Sequence, residues 1–162
     1  MPPDACFRAA PITPGPAAGH EALTAAFANA DLMLRRVVET VEGAAPIRCW
    51  PHHFDIATLI TLPESEFGKG RTIGVGMTPG DSTDPLPYWY VTPWPYPGNK
   101  SLPPLEGEGR WHTTGWTGAL LSHSAITWSM TADAQAERLA EFLASAIAAC
   151  IELQAQRPPS HR

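Results

Sequence analysis

Proline and tryptophan are concentrated in the middle of this 162-residue chain, and their distribution is the strongest constraint on its fold. Eleven of the 18 prolines and five of the six tryptophans lie between Pro46 and Trp116. Proline interrupts the hydrogen bonding of a helix or a central strand, so this region cannot form long regular elements. The middle of the chain is therefore predicted to form short strands separated by rigid turns.

Amphipathic patterns with the helical period flank this region on both sides. Residues 20–42 place their apolar side chains on one face, and Gly43 supplies a stop. Residues 133–156 form the clearer pattern, which ends before Pro158 and Pro159. At 1.5 Å per residue, this second helix would be about 36 Å long.

Four segments in the middle of the chain alternate in the way that half-buried strands do. They are predicted at residues 54–62, 72–78, 88–94 and about 116–121. Residues 96–109, rich in proline and glycine, are predicted to form a long surface loop, a type that is often functional or mobile.

These elements predict one α+β domain over residues 20–157. Its sheet would be mostly antiparallel, with about four to five strands, and both helices would pack on one face. Residues 1–19, which hold five prolines, are expected to be a flexible tail, and residues 158–162 a short C-terminal tail.

Charge and composition narrow the classes of function. A net charge of −5 with scattered basic residues argues against nucleic-acid binding. No apolar run approaches the length of a membrane span, and the N-terminus lacks the apolar stretch of a secretory signal. Three widely spaced cysteines suit a reducing compartment. We therefore expect a soluble cytoplasmic protein without a nucleic-acid or membrane partner; the sequence indicates no oligomeric state.

Two histidines and a carboxylate lie together at the entrance to the first predicted strand, in residues 52–55. If the strand begins at residue 52, His53 and Asp55 share a face about 6.6 Å apart, close enough to bind one ion or flank a ligand. A metal site usually needs three or four ligands, and His112 is the first candidate for the third. The remaining candidates are His123, Asp81 and Asp84. Alternatively, one histidine is hydrogen-bonded at the strand entrance and the other faces solvent.

Aromatic side chains fill both faces of the third predicted strand and its continuation, residues 87–97. One face would join the core, and the other could line an apolar pocket. The predicted walls are Tyr88, Trp89, Tyr90, Trp94 and Trp116, and the predicted polar groups are His53, Asp55 and His112. The alternative is that these rings only pack the sheet against helices and loops.

Gly74 and Gly76 clear one face of the second predicted strand. Either a neighbouring aromatic ring or a bound ligand can approach such a backbone closely, and we expect Trp89 or Trp116 to fill the gap. His112 follows the long loop at the entrance to a strand, a place where binding residues are often presented.

Three blocks of this sequence resemble an uncharacterised bacterial family, a domain of unknown function. Its Trp-Pro-x-His-Phe-Asp, Pro-Tyr-aromatic-Tyr-Val-x-Pro-Trp-Pro and Trp-x-x-x-Gly-Trp-x-Gly-Ala blocks correspond to residues 50–55, 87–95 and 111–119. The resemblance covers the middle half of the chain. It implies a single domain and brings no activity, cofactor or site residue with it.

Three functions are compatible with these patterns. The first is a small-molecule-binding domain with an aromatic-lined pocket. The second is a metal-assisted hydrolase, in which a divalent metal on His53, Asp55 and His112 activates water. The third is a protein-interaction module that uses the Pro- and Trp-rich loop 93–105. The sequence does not decide whether the protein is an enzyme.

Overall fold

Two long helices and a six-stranded sheet make up the fold, seen in a computed structural model that describes residues 17–51, 53–63, 70–98, 101–126 and 131–155. A 3-10 turn, His123–Ala125, precedes the second helix. In chain order the elements are α1 (Ala17–Thr40), β1 (Arg48–Trp50), β2 (Asp55–Thr61), β3 (Thr72–Thr78), β4 (Tyr88–Trp94), β5 (Arg110–His112), β6 (Gly118–Ser122) and α2 (Ala132–Ala155).

The sheet is antiparallel throughout, with the order β1-β2-β3-β4-β6-β5. The first four strands follow one another as a meander. The chain then passes to the edge as β5, and β6 returns between β4 and β5. This arrangement confirms the predicted α+β class, with six strands in place of the four to five expected.

The two additional strands are β1 and β5, which contain three residues each and lie at opposite edges of the sheet. Three residues are too few for a period of two to stand out, which is why the sequence pattern missed them. The bounds of β3 and β4 agree with prediction, and β2 and β6 agree within two residues.

Both helices contain 24 residues and lie close to their predicted positions. Helix α1 begins at Ala17, so residues 17–19 belong to the helix and not to the predicted tail. The rest of that tail and residues 156–162 lie outside the described residues. At the start of α2, Thr131 Oγ1 accepts a hydrogen bond from Ala134 N at 3.2 Å and caps the helix. Neither described helix combines the length and the apolar character needed to cross a membrane.

The hydrophobic core lies between the helices and one face of the sheet. Helix α1 packs over β2 and β3, and α2 packs over β4, β3 and β6. Every second side chain along each strand points towards the helices and contributes to the core. The fully buried ones include Ile60, Ile73, Val75, Val91 and Leu121, which pack with Leu34 of α1 and Phe142 of α2.

The alternate strand residues point to the opposite face, which we call the distal face. In the part of the chain that the structure describes, no helix packs on it. The strand register aligns its side chains in rows across the sheet. One row consists of Ala57, Gly76, Tyr90 and Leu120, and a second of Leu59, Gly74 and Thr92.

Candidate functional site

Most of the residues predicted for a binding site converge on the distal face. The register places Asp55, Tyr88, Tyr90, Trp94 and His112 there, and Trp116 lies over Gly118 on the same face. Trp89 does not belong with them, because it points into the core beneath the helices and is only 7% exposed. The distal face is therefore the candidate site.

Tyr90 spans the width of β3 to reach β2. Its phenol donates a hydrogen bond to Asp55 Oδ2. The path is open because Gly76 has no side chain: a Cβ there would lie 2.6 Å from the Tyr90 hydroxyl oxygen and 2.7 Å from the Ala57 Cβ. The ring that fills the space above the glycine is thus Tyr90, and not Trp89 or Trp116 as the sequence suggested. Burial, together with the bond to Asp55, raises the pKa of Tyr90.

Asp55 is a buried carboxylate that is only half satisfied. The residue is 7% exposed, and Oδ1 has no hydrogen-bond partner among the described residues. Buried polar atoms nearly always find a partner, and an orphaned one costs about 1–3 kcal/mol. Asp55 Oδ1 is therefore able to accept a hydrogen bond from a further donor.

Tyr88 holds the loop between β3 and β4 against the distal face. Its hydroxyl donates to Asp81 Oδ2 at 2.8 Å, and Thr83 N donates to Asp81 Oδ1 at 2.7 Å. Burial and the bond to Asp81 raise the pKa of Tyr88. Burial also tends to raise the pKa of Asp81, but hydrogen bonds from Thr83, Tyr88 and Asp84 outweigh it and lower that pKa. Both Tyr88 and Asp81 are thus engaged with each other.

His112 and Trp116 form an aromatic pair near the β5 edge. Their ring centroids are 4.7 Å apart with an interplanar angle of 38°. His112 Nε2 lies 2.7 Å from the carbonyl oxygen of Thr114, so in the neutral ring Nε2 carries the proton and Nδ1 is an acceptor. The Trp116 ring occupies the place of a side chain at Gly118. The pair is therefore positioned by its own contacts.

Gly74 on β3 is a third glycine of the distal face, and we call the surface above it the Gly74 slot. A Cβ at Gly74 would meet the Thr92 methyl at 3.2 Å and nothing else closer than 4.0 Å. The slot is floored by Gly74 and Thr92 and bounded by Leu59 on β2. Tyr90 and Trp94 precede and follow Thr92 by two residues on β4, on the same face. Leu59 is 39% exposed and Trp94 is 56% exposed, so apolar surface borders the slot.

His53 precedes β2, so the strand alternation that was expected to place it beside Asp55 does not apply to it. In the turn between β1 and β2, the amides of His53 and Phe54 donate to Trp50 O at 3.3 and 2.8 Å. The strand begins only at Asp55. Because alternation applies only within a strand, His53 is exposed in the turn while Asp55 is buried.

His112 is too far from Asp55 to share a metal ion with it. β5 lies four strand positions from β2, about 19 Å at the usual spacing. Across the described ranges, no three His, Cys, Asp or Glu side chains are grouped so as to hold a metal. His52 lies outside those ranges. The hydrolase hypothesis thus has no assembled metal site in this part of the chain.

Trp50 is a distal-face residue that the sequence analysis missed. It pairs directly with Asp55 across β1 and β2, and it is 40% exposed. The missed signal was its position just before the Pro51 turn, where a short edge strand could have been inferred.

The long loop predicted at residues 96–109 is partly packed against α2. Glu106 N donates to Ser145 Oγ at 3.0 Å, and Trp111 Nε1 donates to Pro103 O at 2.7 Å. At its start, Trp94 and Tyr96 meet edge to face, with centroids 5.2 Å apart. The loop therefore exposes these two rings at one end and is held to the helix at the other.

Comparison with protein-family models, with curated proteins and with solved structures finds no match to this chain. The resemblance to the uncharacterised bacterial family stays a prediction.

Proposed function

We propose that this chain is a small-molecule-binding domain that holds an apolar or aromatic ligand in the Gly74 slot. One observation carries the proposal. Three glycines lie on the distal face, Gly74 and Gly76 on β3 and Gly118 on β6. Aromatic rings cover two of them: Tyr90 covers Gly76, and Trp116 covers Gly118. At Gly74 the atom nearest to a Cβ would be the Thr92 methyl, at 3.2 Å, and the Tyr90 ring comes no nearer than 4.0 Å. A ring from a ligand would complete the pattern.

The surroundings of the slot suit a flat apolar group. Tyr90 and Trp94 offer aromatic surface on either side along β4, and small-molecule sites commonly combine such surface with a few polar groups. The Thr92 hydroxyl donates a hydrogen bond to Thr117 O at 2.9 Å, and the Thr92 methyl faces Gly74. The floor of the slot is therefore apolar.

The expected affinity is low for a simple probe. Burial of on the order of 100 Å² of apolar surface contributes about 2.5 kcal/mol, and one aromatic contact adds about 1 kcal/mol. The sum corresponds to a dissociation constant in the millimolar range. Chemical-shift mapping detects such binding, whereas a thermal-shift screen is suited to tighter natural ligands.

The test is a titration of isotope-labelled protein with indole, followed by backbone amide shifts. We expect the shifts to centre on Leu59, Gly74 and Thr92. Gly74→Val, which fills the slot, should abolish them, and Trp94→Ala should weaken binding. Leu32→Ala serves as the matched control, since it removes an exposed apolar side chain, 61% exposed, from α1. Shifts that persist unchanged in Gly74→Val would refute the proposal.

A second candidate function is protein interaction through Trp94 and Tyr96. Its support is the exposure of both rings, 56% and 39%, beside the packed part of the loop. If this function holds, Tyr96→Ala should prevent co-purification of a defined partner while leaving indole shifts at Gly74 intact. The same Leu32→Ala control applies.

A further inference from the structure

We infer that a second site, distinct from the Gly74 slot, binds an organic ammonium ion between Asp55 and Trp50. The ligand class is a small apolar body that bears a primary or secondary amine. Its N–H would donate to Asp55 Oδ1, and its charge would lie beside the Trp50 indole. The Tyr90 ring, which crosses over Gly76, separates this site from the slot at Gly74.

Asp55 supplies the hydrogen-bond acceptor of the proposed site. Tyr90 donates to Oδ2, and Oδ1 has no hydrogen-bond partner within the described ranges although the residue is only 7% exposed. An ionised carboxylate only accepts hydrogen bonds, so the missing partner must be a donor. A charged N–H donor forms the stronger bond to a carboxylate, roughly twice as strong as a neutral one.

The preference for a cation with an apolar body comes from Trp50. It is the cross-strand neighbour of Asp55, so the two side chains lie about 5 Å apart at Cβ. Indole is the best aromatic partner of a cation. Its 40% exposure leaves ring surface for a ligand. Carboxylate and indole together therefore match an amine attached to a hydrophobic group.

Access to Oδ1 is through the edge of the sheet. The oxygen itself is buried, and Trp50 belongs to β1, a three-residue strand that pairs with β2 at the edge of the described sheet. Such short edge elements open locally at low free-energy cost. Arg48 is exposed on the same face, opposite Ala57, and it disfavours ligands with a second positive charge. Monocations are thus preferred.

Four probes with the same phenyl ring test the inference by amide-shift titration of the intact chain. They are 2-phenylethylammonium, its N-trimethyl analogue, 2-phenylethanol and 3-phenylpropanoate. We expect the primary ammonium to bind about tenfold or more tightly than the other three, with shifts at Trp50 and Asp55. Asp55→Asn should remove this preference, and Trp50→Leu should weaken binding of both cations more than binding of the alcohol.

Asp31→Asn is the matched control, because it removes a carboxylate that pairs with Arg35 on α1, away from the distal face. Thermal unfolding of each variant establishes that it is folded, and Trp50→Leu keeps the test decisive if Asp55→Asn does not fold. Equal binding of all four probes would overturn the inference. Ammonium shifts confined to Gly74, an ammonium preference that survives Asp55→Asn, or cation binding unchanged in Trp50→Leu would also overturn it.

Discussion

The hydroxyl of Tyr90 on β4 donates its hydrogen bond to Asp55 on β2, across the intervening strand β3. This hydrogen bond links β2 to β4 across β3 on the distal face. It exists because Gly76 leaves the backbone of β3 bare beneath the ring. Stability and the proposed binding on the distal face therefore depend on the same few residues.

Gly76→Ala should destabilise the protein by about 1–3 kcal/mol, as overpacking of a filled space does. The new Cβ would meet the Tyr90 hydroxyl oxygen, the Ala57 Cβ and the backbone oxygen of Ile56, all within 2.8 Å. Urea unfolding measures the change. Gly74→Ala is the control on the same strand and face, where only the movable Thr92 methyl lies close, at 3.2 Å. Equal losses in both variants would contradict this account.

Tyr90→Phe and Asp55→Asn should be energetically coupled. Each single substitution is expected to lower the free energy of unfolding, and the double variant should fall short of their sum by about 1–2 kcal/mol. A double-mutant cycle from chemical denaturation gives this coupling. Tyr88→Phe combined with Asp55→Asn provides the comparison, because the Tyr88 hydroxyl bonds to Asp81; that pair should be additive within about 0.5 kcal/mol.

Alkaline pH should destabilise the fold through its buried tyrosines. The pKa of Tyr90 is raised above its ordinary value of 10.0 by burial and by Asp55, and that of Tyr88 by burial and by Asp81. As pH rises past 10, the unfolded chain loses these protons first and so binds fewer protons than the folded chain. The stabilisation is thus fully present below pH 10 and is lost above it, by up to about 1.4 kcal/mol per pH unit for Tyr90.

Urea unfolding between pH 8 and pH 11 tests this dependence. Tyr90→Phe should make the decline above pH 10 shallower, since phenylalanine has no proton to lose. Tyr96→Phe is the control at an exposed ring, 39% exposed, and should leave the slope unchanged. An identical slope in Tyr90→Phe and in the wild type would disprove the role assigned to Tyr90.

Cys150 should be inert towards thiol reagents in the folded protein. It is fully buried, and burial raises the pKa of its thiol to about 12. Only about one molecule in 10,000 then carries the reactive thiolate at pH 8. In a Cys6→Ser background, mass spectrometry should find labelling at the half-buried Cys49 well before Cys150. Labelling of both at one rate under native conditions would contradict the buried position.

Local patterns predicted the helices and the central strands well. The period of two gave the bounds of β3 and β4, and the apolar stripe placed α2 within one residue at each end. These patterns are readable because each element must bury one side. The edge strands β1 and β5 are too short to show a period, and their partners supply most of what defines them.

The candidate site was predicted in its residue types but not in its grouping. His53 lies in the turn after Pro51, whereas Asp55 belongs to β2. Trp89 points into the core, whereas its neighbour Tyr90 points to the distal face. Alternation says that neighbouring residues diverge, but it does not say which face the helices cover. That choice followed from the packing of α1 and α2.

The sequence by itself determined the number of helices, the central strands and the presence of two unlike faces, because these depend on spacing along the chain. Only the tertiary structure decided that β6 lies between β4 and β5, which sets Asp55 and His112 four strands apart. It also decided that Tyr90 reaches Asp55 over Gly76. Both outcomes depend on strand order and register, which are fixed by pairing between distant segments and leave no local periodic trace.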